Sequence, residues 1–468
     1  MAEECNHPIR IGDMCGRCGC EIKDKNEELF TLLHNNTSVL LNKTEAERVN
    51  EEMYDSITKN RKLVLLLDLD QTVIHTSVSG RFGAYFHELK KEEMNFSCGG
   101  SAGENKTSTG EGGSGDVSKN IRSPEKGRKA VCLEERKERA VREVQEVKIE
   151  GFSYYVKPRD GLTEFLLEVS KYYEIHIYTM GNKAYANAVV GLLDPGRTLF
   201  GNRIVTRDDN FGCFEKDIKR LFPTNSKHVV ILDDRPDVWG FIDRLYPIRP
   251  YTFFQSEDIN SPEILQGKKS LKKEEASGGV TGKKDLMRRI ERECISTYFD
   301  SELEKVLAGL VEVHREFFTG RENTAEILRE MTGVFRGCVG SIITPAKEFT
   351  CYLSKLFLQH GGSISADPSA SSVTHLICSS GTPVRIKGTA RRLQSIKCVR
   401  DAWICESIFL LKRQNEDDFL LSTAHMERIS TPEEYSESDE NAYEKDRVST
   451  LDVESSDDSL YRQIVEGE

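Results

Sequence analysis

The chain has no apolar run long enough to cross a bilayer, which takes about 20 residues. Its start, MAEECNHPIR, lacks the apolar stretch of a secretory leader. The sequence therefore reads as neither membrane-spanning nor secreted. Positive charge is also in short supply. Lys and Arg number 65 against 77 Asp and Glu, a formal net charge of −12. That balance speaks against a general nucleic-acid binder and leaves room only for a local basic patch. An odd count of 13 Cys with no leader fits reduced thiols inside a cell. The 468 residues are enough for two to four domains with sizeable cores.

Against that background one stretch stands out, RKLVLLLDLDQTVIHT from Arg61 to Thr76. Leu63 to Leu67 is an unbroken apolar run that ends in two carboxylates. A short continuous run suits a strand buried on both faces of a parallel sheet. In open α/β folds, chemistry gathers just past the carboxyl ends of such strands. Asp68, Asp70 and Thr72 fall there, in the pattern DxDxT. If the chain turns at this point, both carboxylates can face one site. One can attack phosphorus while the other handles protons. Two close anions facing a phosphate need a cation, and an oxygen-only site suits Mg²⁺. The plainer alternative is a strand with a polar end.

From Val144 to Leu193 the text VQEVKIEGFSYYVKPRDGLTEFLLEVSKYYEIHIYTMG and its continuation reads as strand, turn, helix, strand, helix. This rhythm predicts a parallel sheet with right-handed crossovers. Thr179 ends a strand and shares the rim with Asp68. Its hydroxyl either holds a phosphate oxygen or caps the helix that follows. Lys216 stands at a loop-to-helix entrance, where an ammonium can neutralise phosphate. KHVVILDDRPDVW repeats the opening logic, a buried strand ending in Asp233 and Asp234, which can complete a cation site with Asp68.

Taken together, DLDQTVIHT, the Thr of IYTMG, the Lys of EKDIKRLFP and the Asp pair of VVILDDRPDVW resemble the haloacid-dehalogenase-type phosphatases. The likeness is strongest to the family that dephosphorylates the C-terminal domain (CTD) of RNA polymerase II, the family whose members associate with the transcription factor TFIIF. It runs from about Lys62 to Tyr251. The resemblance implies a Rossmann-like parallel sheet and an enzyme acting on phosphoserine in the heptad repeats of the polymerase tail. Asp68 is then the nucleophile that forms an aspartyl-phosphate. Asp70 protonates the leaving serine oxygen and later activates water, and Thr72 orients Asp70 and the turn. Thr179 and Lys216 hold the phosphoryl group. Mg²⁺ is bound by Asp68, the Asp70 main-chain carbonyl and Asp234, with Asp233 beside it. The family's R-P-G-L appears here as Arg159-Asp160-Gly161-Leu162, which puts the rigidity of that loop in question. The rival readings are a phosphatase of other nuclear phosphoproteins and a catalytically silent scaffold.

The expected domains are a catalytic unit at 60–255 with an insertion at about 80–143, whose Gly/Ser/Lys-rich centre at 97–128 is too polar to fold. A helical spacer at 284–325 and a BRCT-like α/β domain at 328–423 follow. The BRCT likeness rests on FRGCVGSI, Gly361–Gly362, VTHLIC and VRDAWICESI with Trp403. It implies phosphopeptide contacts at Thr344, Thr389 and Arg391. The acidic tail at 424–468 reads as disordered, and in the family such tails dock on TFIIF. These features imply a nuclear location. At 1–22, Cys5, His7, Cys15 and Cys18 have the types and spacing of zinc ligands, with Cys20 spare. A disordered Cys-rich tail is the other reading.

Overall fold

A computed structural model describes residues 5–22, 29–30, 39–98, 139–210, 215–255, 295, 299–379 and 396–421. The centre of the expected insertion, the linker before the helical spacer, Thr389, Arg391 and the acidic tail lie outside these residues. Among the described residues no helix is long and apolar enough to cross a membrane.

The chain opens with β1 (Ile9–Ile11), β2 (Met14–Cys15) and β3 (Val39–Leu41), an antiparallel sheet in the order β2-β1-β3. Helix α1 (Lys43–Lys59) starts at Asn42, whose side chain accepts from the Glu45 amide at 3.0 Å. It leads into β4 (Leu63–Leu67), every residue of which is buried. Next come β5 (Ile74–Ser77), α2 (Gly80–Cys98), β6 (Gln145–Ile149) and β7 (Phe152–Pro158). These three strands form a separate antiparallel sheet, β5-β7-β6. Sequence reading expects a single strand here. The chain instead makes a hairpin at Glu150-Gly151, both with positive φ (51° and 86°). That geometry matches a two-residue type I′ turn, and Gly supplies it without strain.

Then follow α3 (Leu162–Val169), β8 (Tyr173–Tyr178), α4 (Lys183–Leu193), β9 (Ile204–Val205), β10 (Val229–Leu232) and β11 (Leu245–Tyr246). The main sheet has the order β11-β10-β4-β8-β9 and is parallel throughout, as the βα rhythm predicts. β4 lies at its centre. Leu63, Leu65 and Leu67 enter one core with Ile175, Ile177, Val230 and Leu232. Val64 and Leu66 enter the opposite core with Val229 and Ile231. Both faces are covered, so the apolar run has no polar alternation. Each such buried side chain contributes about 1.5–3 kcal/mol.

Helices α5 (Glu302–Phe317) and α6 (Thr324–Thr332) follow. Leu303, Val306, Leu310, Val313 and Phe317 recur at helical spacing and are buried in the same core as β4. The described part of the expected spacer is thus a layer of the main core. The C-terminal unit comprises β12 (Val339–Ile343), α7 (Lys347–Gln359), β13 (Ser363–Ile364), β14 (His375–Cys378), β15 (Lys397–Arg400) and α8 (Ala402–Phe409). Its parallel sheet runs β13-β12-β14-β15. Trp403 is its buried anchor, stacked on His375 at 4.7 Å and donating to the Gln414 carbonyl at 3.0 Å. Gly361 sits at φ 87°, and a Cβ on Gly362 would meet the Phe357 ring at 2.3 Å, so both glycines are required.

Candidate active site

The rim of the main sheet is set by strand register. Leu67 of β4 pairs with Leu232 of β10 and with Ile177 of β8. The residues just past these ends therefore lie side by side: Asp68, Asp233, and Tyr178 followed by Thr179. The DxDxT segment then leaves the sheet in a tight turn. Leu69 O accepts from the amides of Val73 and Ile74, and Gln71 takes φ 59°, rare for a residue with a Cβ. That turn lets Asp68 and Asp70 face one site, although strand alternation alone would separate them. Strained backbone at such a position is typical of functional loops.

Lys216 is the hub. Its Nζ lies 2.6 Å from Asp68 Oδ1 and 2.6 Å from Asp233 Oδ2, with all three side chains buried. The rings of Tyr178 and Trp239 lie 5.8 and 5.7 Å from the ammonium. Asp233 is fully engaged. Its Oδ2 also accepts from Trp239 Nε1 at 2.8 Å, and its Oδ1 from the Arg235 amide at 2.9 Å. Asp233 therefore serves to aim the lysine. Asp234 is held by Thr72, whose Oγ1 donates to Asp234 Oδ1 at 2.8 Å and accepts from the Asp234 amide at 3.0 Å. Sequence reading expects Thr72 to orient Asp70 and the turn; its hydroxyl is bonded to Asp234. The turn points it across to the end of β10.

Asp70 is held by Tyr185 of α4. Its Oη donates to Asp70 Oδ1 at 2.5 Å and pairs with Thr76 Oγ1 at 2.6 Å. Sequence reading does not find Tyr185, because its helical position looks like core. Arg159, buried beneath the turn, donates to the Thr72 carbonyl at 2.8 Å and to Asp300 Oδ2 at 2.9 Å. Asp160, where the family has Pro, accepts from Lys157 Nζ at 3.0 Å and from the Asp300 amide at 3.0 Å. Hydrogen bonds thus supply the rigidity that a proline ring would give. Thr179 is buried at the rim, and its Oγ1 accepts from the Gly181 amide at 3.0 Å, so its proton can still be donated. The cap of α4 is Asn182.

Electrostatically the site is short of positive charge. Burial, then the charges of Asp233 and Asp234, push the Asp68 carboxyl well above the usual carboxylate range, opposed by Lys216. Burial first, and Asp233 next, raise Asp234 to about 7. Burial pulls the Lys216 ammonium down, but Asp233 and Asp68 more than offset this and hold it above the ordinary lysine value. One lysine thus faces three carboxylates. Ligand oxygens of Asp68, Asp233 and Asp234 all lie within 4.8 Å of one another. An all-oxygen donor set with two uncompensated charges fits a hard divalent cation. Asp68 and Asp234 keep an oxygen for it, whereas Asp233 is already spent on Lys216 and Trp239.

Of the remaining expected site residues, Thr344 commits its hydroxyl to the Ala346 carbonyl and Thr350 Oγ1, both at 2.8 Å, at the start of α7. Arg220, near Lys216, donates to the Asp209 carbonyl and to Asn210 Oδ1.

Comparison with known proteins agrees with this geometry. The NLI interacting factor-like phosphatase family matches residues 130–277. That stretch holds Thr179, Lys216 and the Asp233-Asp234 pair; Asp68 precedes it in sequence but adjoins it in the sheet. The RNA polymerase II C-terminal domain phosphatase of Encephalitozoon cuniculi is 31% identical over 459 residues, covering 87% of this chain and 93% of the relative. The Schizosaccharomyces pombe protein of the same name is 32% identical over 272 residues, and there the match spans 32% of the relative's length. The solved structure of Fcp1, described as an essential RNA polymerase II CTD phosphatase, superposes with a TM-score of 0.60 at 26% identity, covering 80% of this chain and 100% of that one. The chain belongs to the family of RNA polymerase II C-terminal domain phosphatases.

Proposed function

We propose that the protein is a Mg²⁺-dependent phosphatase that hydrolyses phosphoserine in the heptad repeats of the RNA polymerase II tail and so recycles the polymerase in transcription. The observation that carries this reading is the buried Lys216 bridging Asp68 and Asp233, next to Asp234. It is an arrangement for neutralising a phosphoryl group in transfer. Asp68 Oδ attacks phosphorus in line, the P–O bond to serine breaks, and a proton from Asp70 goes to the leaving oxygen. Asp70 then takes a proton from the water that attacks the aspartyl-phosphate, releasing inorganic phosphate and restoring Asp68. Tyr185 keeps the Asp70 carboxyl aimed at both oxygens. Lys216 and the Thr179 hydroxyl hold the equatorial oxygens. When bound, Mg²⁺ supplies further charge neutralisation for the phosphoryl oxygens; Asp68, Asp234 and the Asp70 carbonyl would hold it.

On this reading 60–255 with α5 is the catalytic unit, and the C-terminal unit acts as a BRCT domain. The acidic tail docks on TFIIF, and the enzyme works in the nucleus. The family resemblance supports these assignments. Synthetic heptad peptides phosphorylated at each serine in turn, assayed with and without Mg²⁺, test the proposal. Turnover of at least one peptide that is lost in Asp68→Asn is the expected result. Turnover of unrelated phosphoproteins with no heptad activity would favour the broader nuclear phosphatase, and no turnover of any substrate would favour a scaffold.

A further inference from the structure

The N-terminal segment carries chemistry that the phosphatase site does not use. β1 and β2 pair antiparallel, with Arg10 opposite Cys15 and Ile11 opposite Met14. The hairpin thus folds the C-x-x-C segment back beside residues 5–7. Cys15 Sγ lies 3.9 Å from Cys5 Sγ, and Cys18 Sγ lies 3.4 Å from His7 Nδ1. All four ligand atoms lie within 4.8 Å of one another.

These separations can be compared with those of a tetrahedral metal. With Zn–S near 2.3 Å and Zn–N near 2.05 Å, tetrahedral angles put two sulfurs about 3.8 Å apart and sulfur and nitrogen about 3.6 Å apart. The observed edges are 3.9 and 3.4 Å. A disulfide needs sulfurs at about 2.05 Å, and all four of Cys5, Cys15, Cys18 and Cys20 are free thiols. The backbone is arranged to hold thiolates. The Arg17 amide points at Cys15 Sγ at 3.3 Å, the Gly19 amide donates to the Cys15 carbonyl at 2.8 Å, and Gly19 takes φ 73°. His7 itself sits at φ 45°.

Among the described residues the segment's apolar cluster is small: Leu41 and Ala46 are buried, with Ile9, Phe30, Val39 and Val49 partly so. So small a core needs a metal or disulfide staple. We infer that Cys5, His7, Cys15 and Cys18 form a structural zinc site that fixes the β1–β3 sheet to the start of α1. The attachment is visible. Asn42, which caps α1, donates its amide to the Pro8 carbonyl at 3.0 Å and its Nδ2 to the Asn6 carbonyl at 3.1 Å. The metal loop therefore grips the first turn of the helix that feeds β4. Cys20 stays outside the set, its Sγ turned to the Cys18 carbonyl.

The test uses the full chain, purified in zinc-containing, Mg²⁺-buffered medium. Elemental analysis should find about one zinc per chain, as a closed four-ligand site requires, with loss of that zinc in Cys15→Ser and Cys18→Ser and retention in Cys20→Ser. Replacement by Co²⁺ should give thiolate-to-metal charge-transfer absorption. That absorption should persist in Asp234→Asn, because the acidic cluster offers no sulfur. Because the Cys→Ser chains can fail to fold, alkylation of the unmutated chain is the second readout. Cys5, Cys15 and Cys18 should be protected until zinc is chelated, while Cys20 reacts throughout. A folded chain without zinc, cobalt without charge-transfer absorption, zinc lost on Cys20→Ser, or alkylation of the three thiols independent of chelation would each overturn the inference.

Discussion

Replacing Lys216 by Met keeps the side chain's length and removes its charge. Nζ lies 2.6 Å from both Asp68 Oδ1 and Asp233 Oδ2, and all three groups are buried. At an effective dielectric of about 20, each pair is worth about 6 kcal/mol before desolvation. Removing one partner of a buried pair typically costs about 3–5 kcal/mol, because the charge left behind has neither partner nor water. Here two carboxylates are left. The loss should therefore reach that range at pH 8 without Mg²⁺, read as the urea unfolding midpoint from tryptophan fluorescence. The sign of the pH dependence follows from Asp68, whose folded pKa already lies above its ordinary 3.8. Without Lys216 it rises further. As pH falls towards 5, the native state takes up a proton that the unfolded carboxylate refuses, so the deficit shrinks. Added Mg²⁺ should shrink it as well, by replacing part of the missing charge. Turnover should fall at least about 100-fold even with Mg²⁺, the usual cost of one transition-state contact. A Lys216→Met chain as stable as the parent at pH 8, or one whose deficit grows on acidification, would show that the lysine does not neutralise these two carboxylates.

Tyr185→Phe removes the 2.5 Å hydrogen bond to Asp70. A bond to a charged group is worth about 1.5–3 kcal/mol, so kcat should drop about 10- to 100-fold with the melting temperature nearly kept; an unchanged kcat would show that Asp70 needs no aiming. Asp160→Pro restores the family's usual residue, yet should destabilise by about 1–3 kcal/mol, because the buried Lys157 Nζ loses one of its two carboxylates and the Asp300 amide loses its acceptor. A gain in stability would mean the ring matters more than the bonds. His75, His228 and His360 are each held near 4 by burial, against an ordinary 6.5. Between pH 6.5 and 4 the unfolded chain binds protons that the native one refuses. Stability should therefore fall with pH by about 1 kcal/mol per unit for each histidine. His228→Phe should flatten the slope by one such increment, and an unaltered slope in denaturant titrations would contradict this.

The parts legible in the sequence were those coded by local pattern. Leu63 to Leu67 could be read as a two-faced strand because all five residues are apolar, and Asp68 and Asp233 could be placed on one rim because each ends such a run. The parallel sheet followed from the alternation of runs and helices. What escaped was set by tertiary contact. Tyr185 sits at a helical position with Ala186, Val189 and Val190, where an aromatic ring looks like core, and only the fold brings its hydroxyl to Thr76 and Asp70. The partner of Thr72 is 162 residues away, and spacing cannot name it. The Glu150-Gly151 hairpin was hidden in a run rich enough in β formers to pass for one strand. Helix α5 has an apolar stripe that marks it as packed, but not against which surface; Tyr173 Oη donating to the Leu310 carbonyl at 2.6 Å shows that it closes over β8.

In the proposed reaction Asp68 accepts the phosphoryl group while Lys216 and a cation hold it. Acid quenching during turnover of a phosphoserine heptad peptide, followed by peptide mapping, should place an acid-stable acyl phosphate on the peptide containing Asp68. Asp70→Asn should still form it when the leaving group is good, and should fail to hydrolyse it. Steady turnover with the phosphoryl group on Asp70, or on no carboxylate of this peptide, would contradict the account.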